Sequence, residues 1–129
     1  MTPTELNALG TKVLEAAYRV HTAIGPGLLE SAYVACLVHE LRRSGLNVRT
    51  EVPVPVVYGG EKLADVGYRI DILVESELIV EVKSLEAVAP VHVAQLVSYL
   101  KLADRRLGYV LNFNVEHLKS GIYRRVNRF

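Results

Sequence analysis

The sequence predicts one α/β domain over residues 1–129, a mixed β-sheet flanked by helices, and three observations carry that prediction. Apolar residues first recur at steps of three and four, the period of helices with one buried stripe. From Asn47 the pattern changes to alternating or continuous β-branched runs that read as strands. A helical run from Pro90 to about Leu102 is then followed by the apolar stretch Gly108 to Phe113. Strand, helix and strand in that order predict a crossover that lays Leu107–Asn112 parallel to Leu78–Lys83. A chain of 129 residues has room for one core but not for a second, separate recognition domain.

The N-terminus reads as a helix start, with Thr2 as cap, Pro3 at the first helical position and Glu5 as capping-box partner. Leu6, Leu9, Val13, Ala17, Val20 and Ile24 form its predicted buried stripe, and Gly25-Pro26-Gly27 ends it. A second helix is expected from Leu28 to Ser44, closing on Arg42, Arg43 and Gly45. Glu30 lies in its first turn and shares a face with Tyr33 and Leu37; an acidic residue there already suits the positive helix end. Asn47–Tyr58 reads as a long strand with Val48, Thr50, Val52, Val54, Val56 and Tyr58 on one face. Pro53 and Pro55 lack donors on the same side, which suits an edge strand or the margin of a sheet. Gly59-Gly60 supplies a turn, and Gly67 marks a bulge or a close backbone approach in the next strand. The basic stretch from Lys119 through Arg124, Arg125 and Arg128, interleaved with Tyr123 and Phe129, suits phosphate contact or a solvated edge strand or tail.

Composition excludes several classes of function. Half the residues are apolar, 22% are charged and the formal net charge is +1, so no global field advertises a polyanionic partner. No apolar segment reaches membrane-spanning length and the N-terminus lacks the order of a signal peptide, so a soluble cytoplasmic protein without a membrane partner is expected. The single Cys36 excludes an internal disulfide and fits a reducing compartment. His21, His39, His92 and His117 show no zinc spacing, and no glycine-rich phosphate loop, nucleophile elbow or dinucleotide fingerprint occurs.

The segment Arg69–Lys83 reads as a β-hairpin turning through Glu75-Ser76-Glu77. Alternation puts Arg69, Asp71 and Leu73 on one face and Ile70, Ile72 and Val74 on the other, while Ile79, Glu81 and Lys83 share a face. If the hairpin is symmetric about Ser76, Asp71 pairs with Glu81 and Arg69 with Lys83. Directly opposed like charges destabilise a sheet. A divalent cation between the two carboxylates, with the Val82 carbonyl as a further hard oxygen donor, would repay that cost and suits metal-assisted phosphodiester hydrolysis. Lys83 could then orient the attacking water or stabilise transition-state charge. The competing reading is an amphipathic hairpin in which Arg69 and Lys83 neutralise Asp71 and Glu81.

Arg69-Ile70-Asp71 followed by Glu81-Val82-Lys83 resembles the PD-(D/E)XK nuclease superfamily, with Ile70 where that pattern has proline. Gln95-Leu96-Val97-Ser98-Tyr99 resembles the Gln-x-x-x-Tyr motif of the branch containing the RecB nuclease domain and phage lambda exonuclease. Gly27-Leu28-Leu29-Glu30-Ser31-Ala32-Tyr33 is similar to the signature of the small GxxExxY proteins of that superfamily. The resemblance implies a restriction-endonuclease-like core and a Mg²⁺- or Mn²⁺-dependent nuclease acting on nucleic acid, DNA before RNA, by structure or ends. It implies metal ligation by Glu30, Asp71, Glu81 and the Val82 carbonyl, catalysis by Asp71, Glu81 and Lys83, and substrate contact by Gln95, Tyr99 and Arg69. A homodimer resembling a junction resolvase would compensate for the small duplex contact of one chain. The alternative is a non-catalytic nucleic-acid-binding or protein-interaction module that retains the nuclease fold.

Overall fold

The computed structural model describes residues 1–129. Helix α1 (Pro3–Ile24) begins with a reciprocal capping box, the Thr2 hydroxyl accepting the Glu5 N–H at 3.1 Å and the Glu5 carboxylate accepting the Thr2 N–H at 3.0 Å. Gly25 ends it at φ 75°, a conformation that costs an L side chain but not glycine. The predicted stripe is buried from Leu6 to Val20, but Ile24 is exposed, lying at the surface of a shallow depression between the first two helices. Helix α2 (Glu30–Arg43) starts two residues later than its apolar pattern suggests, because Leu29 keeps extended backbone at ψ 152°.

Five strands follow: β1 (Val48–Tyr58), β2 (Glu61–Val74), β3 (Leu78–Lys83), β4 (Leu107–Asn112) and β5 (Ile122–Val126), with α3 (Pro90–Ala103) between β3 and β4. They lie in the order β1-β2-β3-β4-β5, antiparallel throughout except for the parallel β3–β4 pair, which aligns Leu78 with Leu107 and Lys83 with Asn112. Pro53 and Pro55 therefore stand on an edge strand, as do Arg124 and Arg125 at the opposite edge.

The sheet is covered on both faces, which explains why β3 and β4 read as continuous apolar runs. Leu78, Val80 and Val82 pack with α1 and α2, whereas Ile79 joins Val110, Leu96 and Leu100 under α3. The result is a three-layer arrangement with helices on either side of a mixed sheet, and no helix is long and apolar enough to cross a membrane.

One expectation about the first hairpin fails, and its failure shapes the site. Strict alternation would place Val48, Val52 and Val54 on one face, and Ile70, Ile72 and Val74 on another. Instead Val48, Ile72 and Val74 pack toward α1 and α2, whereas Val52, Val54 and Ile70 pack toward α3. The crossing occurs between the pairs Thr50↔Ile72 and Val52↔Ile70, where Glu51 and Asp71 drop out of the ladder and Glu51 adopts φ 50°. A left-handed residue breaks the pleat, so both strands roll over at this point. Further along, the register shifts again opposite Gly67, whose added Cβ would clash with Val56 Cγ2. The predicted bulge is thus present at Gly67, whereas the close neighbour there is the Val56 side chain and the nearest backbone atom, Val54 O, is at ordinary contact distance from an added Cβ.

Candidate active site

The β2–β3 hairpin pairs Val74 with Leu78, Leu73 with Ile79 and Ile72 with Val80, the register expected for symmetry about Ser76. There the ladder stops. Asp71 and Glu81 are not ladder partners, and Arg69 stands opposite Pro53 of β1 instead of Lys83. The two carboxylates replace the missing ladder with side-chain bonds: Asp71 N–H donates to Glu81 Oε2 at 3.0 Å, and Val82 N–H donates to Asp71 Oδ2 at 2.9 Å. The N–H and C=O of one strand residue point to the same side. The Val82 carbonyl is accordingly directed into the same gap as its N–H, beyond the last β2–β3 pair.

Glu81 is 7% exposed and Asp71 half-buried, yet neither forms a salt bridge with any cation of the protein. The reading in which Arg69 and Lys83 simply neutralise the pair therefore lacks its ion pairs. Burial, and then the charge of Asp71, push the Glu81 carboxyl up to about 8. Burial likewise raises Asp71, opposed by the Val82 N–H and the Lys83 charge, with Glu51 adding a smaller upward push. Two adjacent carboxyls withdrawn from water both favour their protonated forms, and a cation bound to them would compete with those protons.

The donor set fits a small hard cation. Two carboxylates, with oxygens left free by the two backbone bonds, and a neighbouring carbonyl match the few protein ligands Mg²⁺ ordinarily takes while keeping several waters. No group of three or more His, Cys, Asp or Glu side chains lies close enough to hold a metal, so Glu30 does not close onto the pair. It stands at the same end of β3, where its Oε1 accepts the Ser84 N–H at 3.4 Å.

Glu30 is held there by the loop before α2. The Ser84 hydroxyl donates to Leu28 O at 2.6 Å, while the Tyr33 hydroxyl donates to Gly25 O at 2.6 Å and accepts the Leu28 N–H at 3.2 Å. The Tyr33 ring is fully buried and stacks on Phe113 at 4.7 Å. This explains the spacing of Gly27, Glu30 and Tyr33: the tyrosine, one turn beyond the glutamate, fastens the loop that aims it.

Helix α3 supplies the other wall. Tyr99 is half-buried and Gln95, one turn earlier, is exposed. Burial and the charges of Glu81 and Asp71 raise the Tyr99 hydroxyl, which puts it within their field. No sequence pattern points to Tyr68, whose ring stacks on Tyr99 at 3.8 Å and 8° and whose hydroxyl donates to Tyr99 O at 2.8 Å. Its hydroxyl is also raised, first by burial and then by Glu81. Only the fold brings together residues 31 positions apart. His92 has a local role, its Nδ1 accepting the Ala89 N–H at the start of α3. Lys83 is half-buried on the strand after Glu81, and Arg69 is exposed on β2.

No curated protein and no solved structure matches the chain. A family model does, over residues 7–126, a span that contains both carboxylates, Lys83, the α3 motif and every strand. With a mixed five-stranded sheet between helices and an Asp…Glu-x-Lys pair at the point where its strands part, the chain belongs to the PD-(D/E)XK nuclease superfamily.

Proposed function

We propose that this protein is a Mg²⁺- or Mn²⁺-dependent nuclease that hydrolyses phosphodiester bonds in DNA, recognising structure or ends more than sequence. The observation that carries this reading is the Asp71–Glu81 pair, largely withdrawn from water, bonded to backbone and left without a salt-bridged cation. Asp71, Glu81 and the Val82 carbonyl would hold the cation, with Glu30 as the third carboxylate beside the end of β3. When bound, the cation supplies charge neutralisation at phosphoryl oxygens and acidifies water. Lys83, two residues beyond Glu81 on the same strand, orients the attacking water and offsets charge in the transition state. Tyr99, Gln95 and Arg69 contact substrate phosphate. The motifs support a place among the GxxExxY proteins in the branch of RecB and lambda exonuclease. The small size of one chain supports a homodimer on duplex DNA, and the lone Cys36 a cytoplasmic setting.

The test is cleavage of single-stranded, duplex, flap and junction DNA, and of RNA, with Mg²⁺ or Mn²⁺, by wild type, Asp71→Ala and Lys83→Ala. Each variant should lose at least about a hundredfold in rate, the scale for removing one electrostatic participant. Equal activity of all three proteins would sink the mechanism.

A further inference from the structure

The imidazole of His92 is fixed at one nitrogen and free at the other. Ala89 N–H donates to Nδ1 at 2.9 Å, so the ring closes the first turn of α3 where a capping-box Glu or Gln ordinarily would. A ring nitrogen that accepts carries no proton, which leaves the proton of the neutral imidazole on Nε2. No group of the protein accepts from Nε2, and the one buried side-chain polar atom without a partner is Arg105 Nε. His92 is half-buried, and its Nε2–H is therefore an oriented donor that reaches solvent.

The helix ties this donor to the carboxylate pair. His92, Gln95 and Tyr99 follow at steps of three and four and lie in one stripe along α3. Tyr99 stacks on Tyr68 and lies in the field of Glu81 and Asp71, which fixes the flank on which the stripe runs. His92 stands two turns, about 10 Å, nearer the helix start. The chain reaches that start from Lys83 through residues 84–89, so this turn stands at the end of β3 that carries the site. Its connection is anchored: Asn112, 2% exposed, accepts the Leu85 N–H and donates to Leu85 O, both at 3.0 Å, and Phe113 N–H donates to Lys83 O at 3.0 Å.

We propose that His92 Nε2–H donates to a phosphate of the substrate strand that neighbours the phosphodiester being cut. The proposal rests on the nuclease reading above and adds a residue to its substrate contacts. The two-turn offset along α3 separates the donor from the carboxylates, so it meets an adjoining phosphate and not the scissile one. A contact of that kind is made equally before and during the reaction, and so acts on KM and not on kcat.

Two variants separate the donor from the cap. His92→Glu keeps an acceptor for the Ala89 N–H but has no donor, whereas His92→Gln supplies both. The full chain and its variants are compared by anisotropy of a fluorescein-labelled single-stranded DNA in Ca²⁺, by cleavage kinetics in Mg²⁺ and Mn²⁺, and by melting temperature. His92→Glu should bind about tenfold more weakly and raise KM by the same factor with kcat little changed. His92→Gln should recover most of the affinity, with both melting temperatures within a few degrees of wild type. Replacing single phosphates by neutral methylphosphonates should reveal one position, away from the cleaved bond, where wild type weakens and His92→Glu weakens little further. Cleavage by wild type with binding unchanged in His92→Glu overturns the contact and leaves the nuclease. Binding that depends on His92 without cleavage overturns the nuclease and keeps the contact. Equal loss in His92→Glu and His92→Gln, or no such methylphosphonate position, overturns the contact. Neither binding nor cleavage by wild type overturns both.

Discussion

Glu81 carries the strongest consequence of the site at the scale of one residue. Its carboxyl is raised from an ordinary value of 4.5 to about 8, first by burial and then by Asp71. The folded state therefore binds this proton more tightly than the unfolded chain, so the associated stability is complete below pH 4.5 and is lost as pH rises through about 8. In EDTA, wild type should lose on the order of a few kcal/mol across that window relative to Glu81→Gln. Urea denaturation of both proteins at several pH values measures the difference. A gap between them that does not change with pH would show that Glu81 is an ordinary carboxylate. Asp71 is raised for the same first reason and adds to the slope with the same sign.

At the scale of elements, the hairpin and α2 show what a sequence records and what it does not. Local chemistry was legible: the Thr2–Glu5 box, the Gly25 stop, Pro90 at the start of α3 and the prolines of the edge strand each act through neighbours in the chain. The register about Ser76 was legible too, because alternating apolar residues fix it. The roll at Glu51 and Asp71 was not. A glutamate at φ 50° has no sequence signature, since left-handed backbone is expected of glycine or asparagine. The Tyr68–Tyr99 stack is a tertiary contact that periodicity cannot report. Tyr33 lies between these cases, for spacing placed it on the face of Glu30 but not its hydroxyl on the loop. Tyr33→Phe keeps the stack on Phe113 and removes the bonds to Gly25 O and Leu28 N–H. It should cost about 1–3 kcal/mol in denaturant unfolding, the penalty for stranded polar groups. On the proposed reading in which Glu30 serves as third carboxylate, it should also weaken metal binding, because the loop that holds Glu30 loses its fastening. A variant as stable as wild type would mean that Ser84 alone holds the loop.

Across the whole molecule, the site is an imposed instability, since the central strand of a covered sheet carries a buried glutamate and its neighbour a second carboxylate. Covering both faces with helices supplies the core that tolerates this, and two backbone N–H bonds hold the carboxyls in place without neutralising them. A cation that binds only the folded chain should then stabilise the entire fold, by about 2.7 kcal/mol at a hundredfold excess over its dissociation constant. For a domain of this size that corresponds to a rise of roughly 10 °C in melting temperature. The effect should be largest above pH 8, where no proton competes for the pair, and should shrink as pH falls. Asp71→Asn removes one charge, so in EDTA above pH 8 it should melt higher than wild type, while Mg²⁺ or Mn²⁺ should shift it little. Differential scanning fluorimetry of both proteins with and without metal reads both effects. A metal shift of equal size in wild type and Asp71→Asn would place the cation elsewhere and leave the pair as a proton-sharing couple.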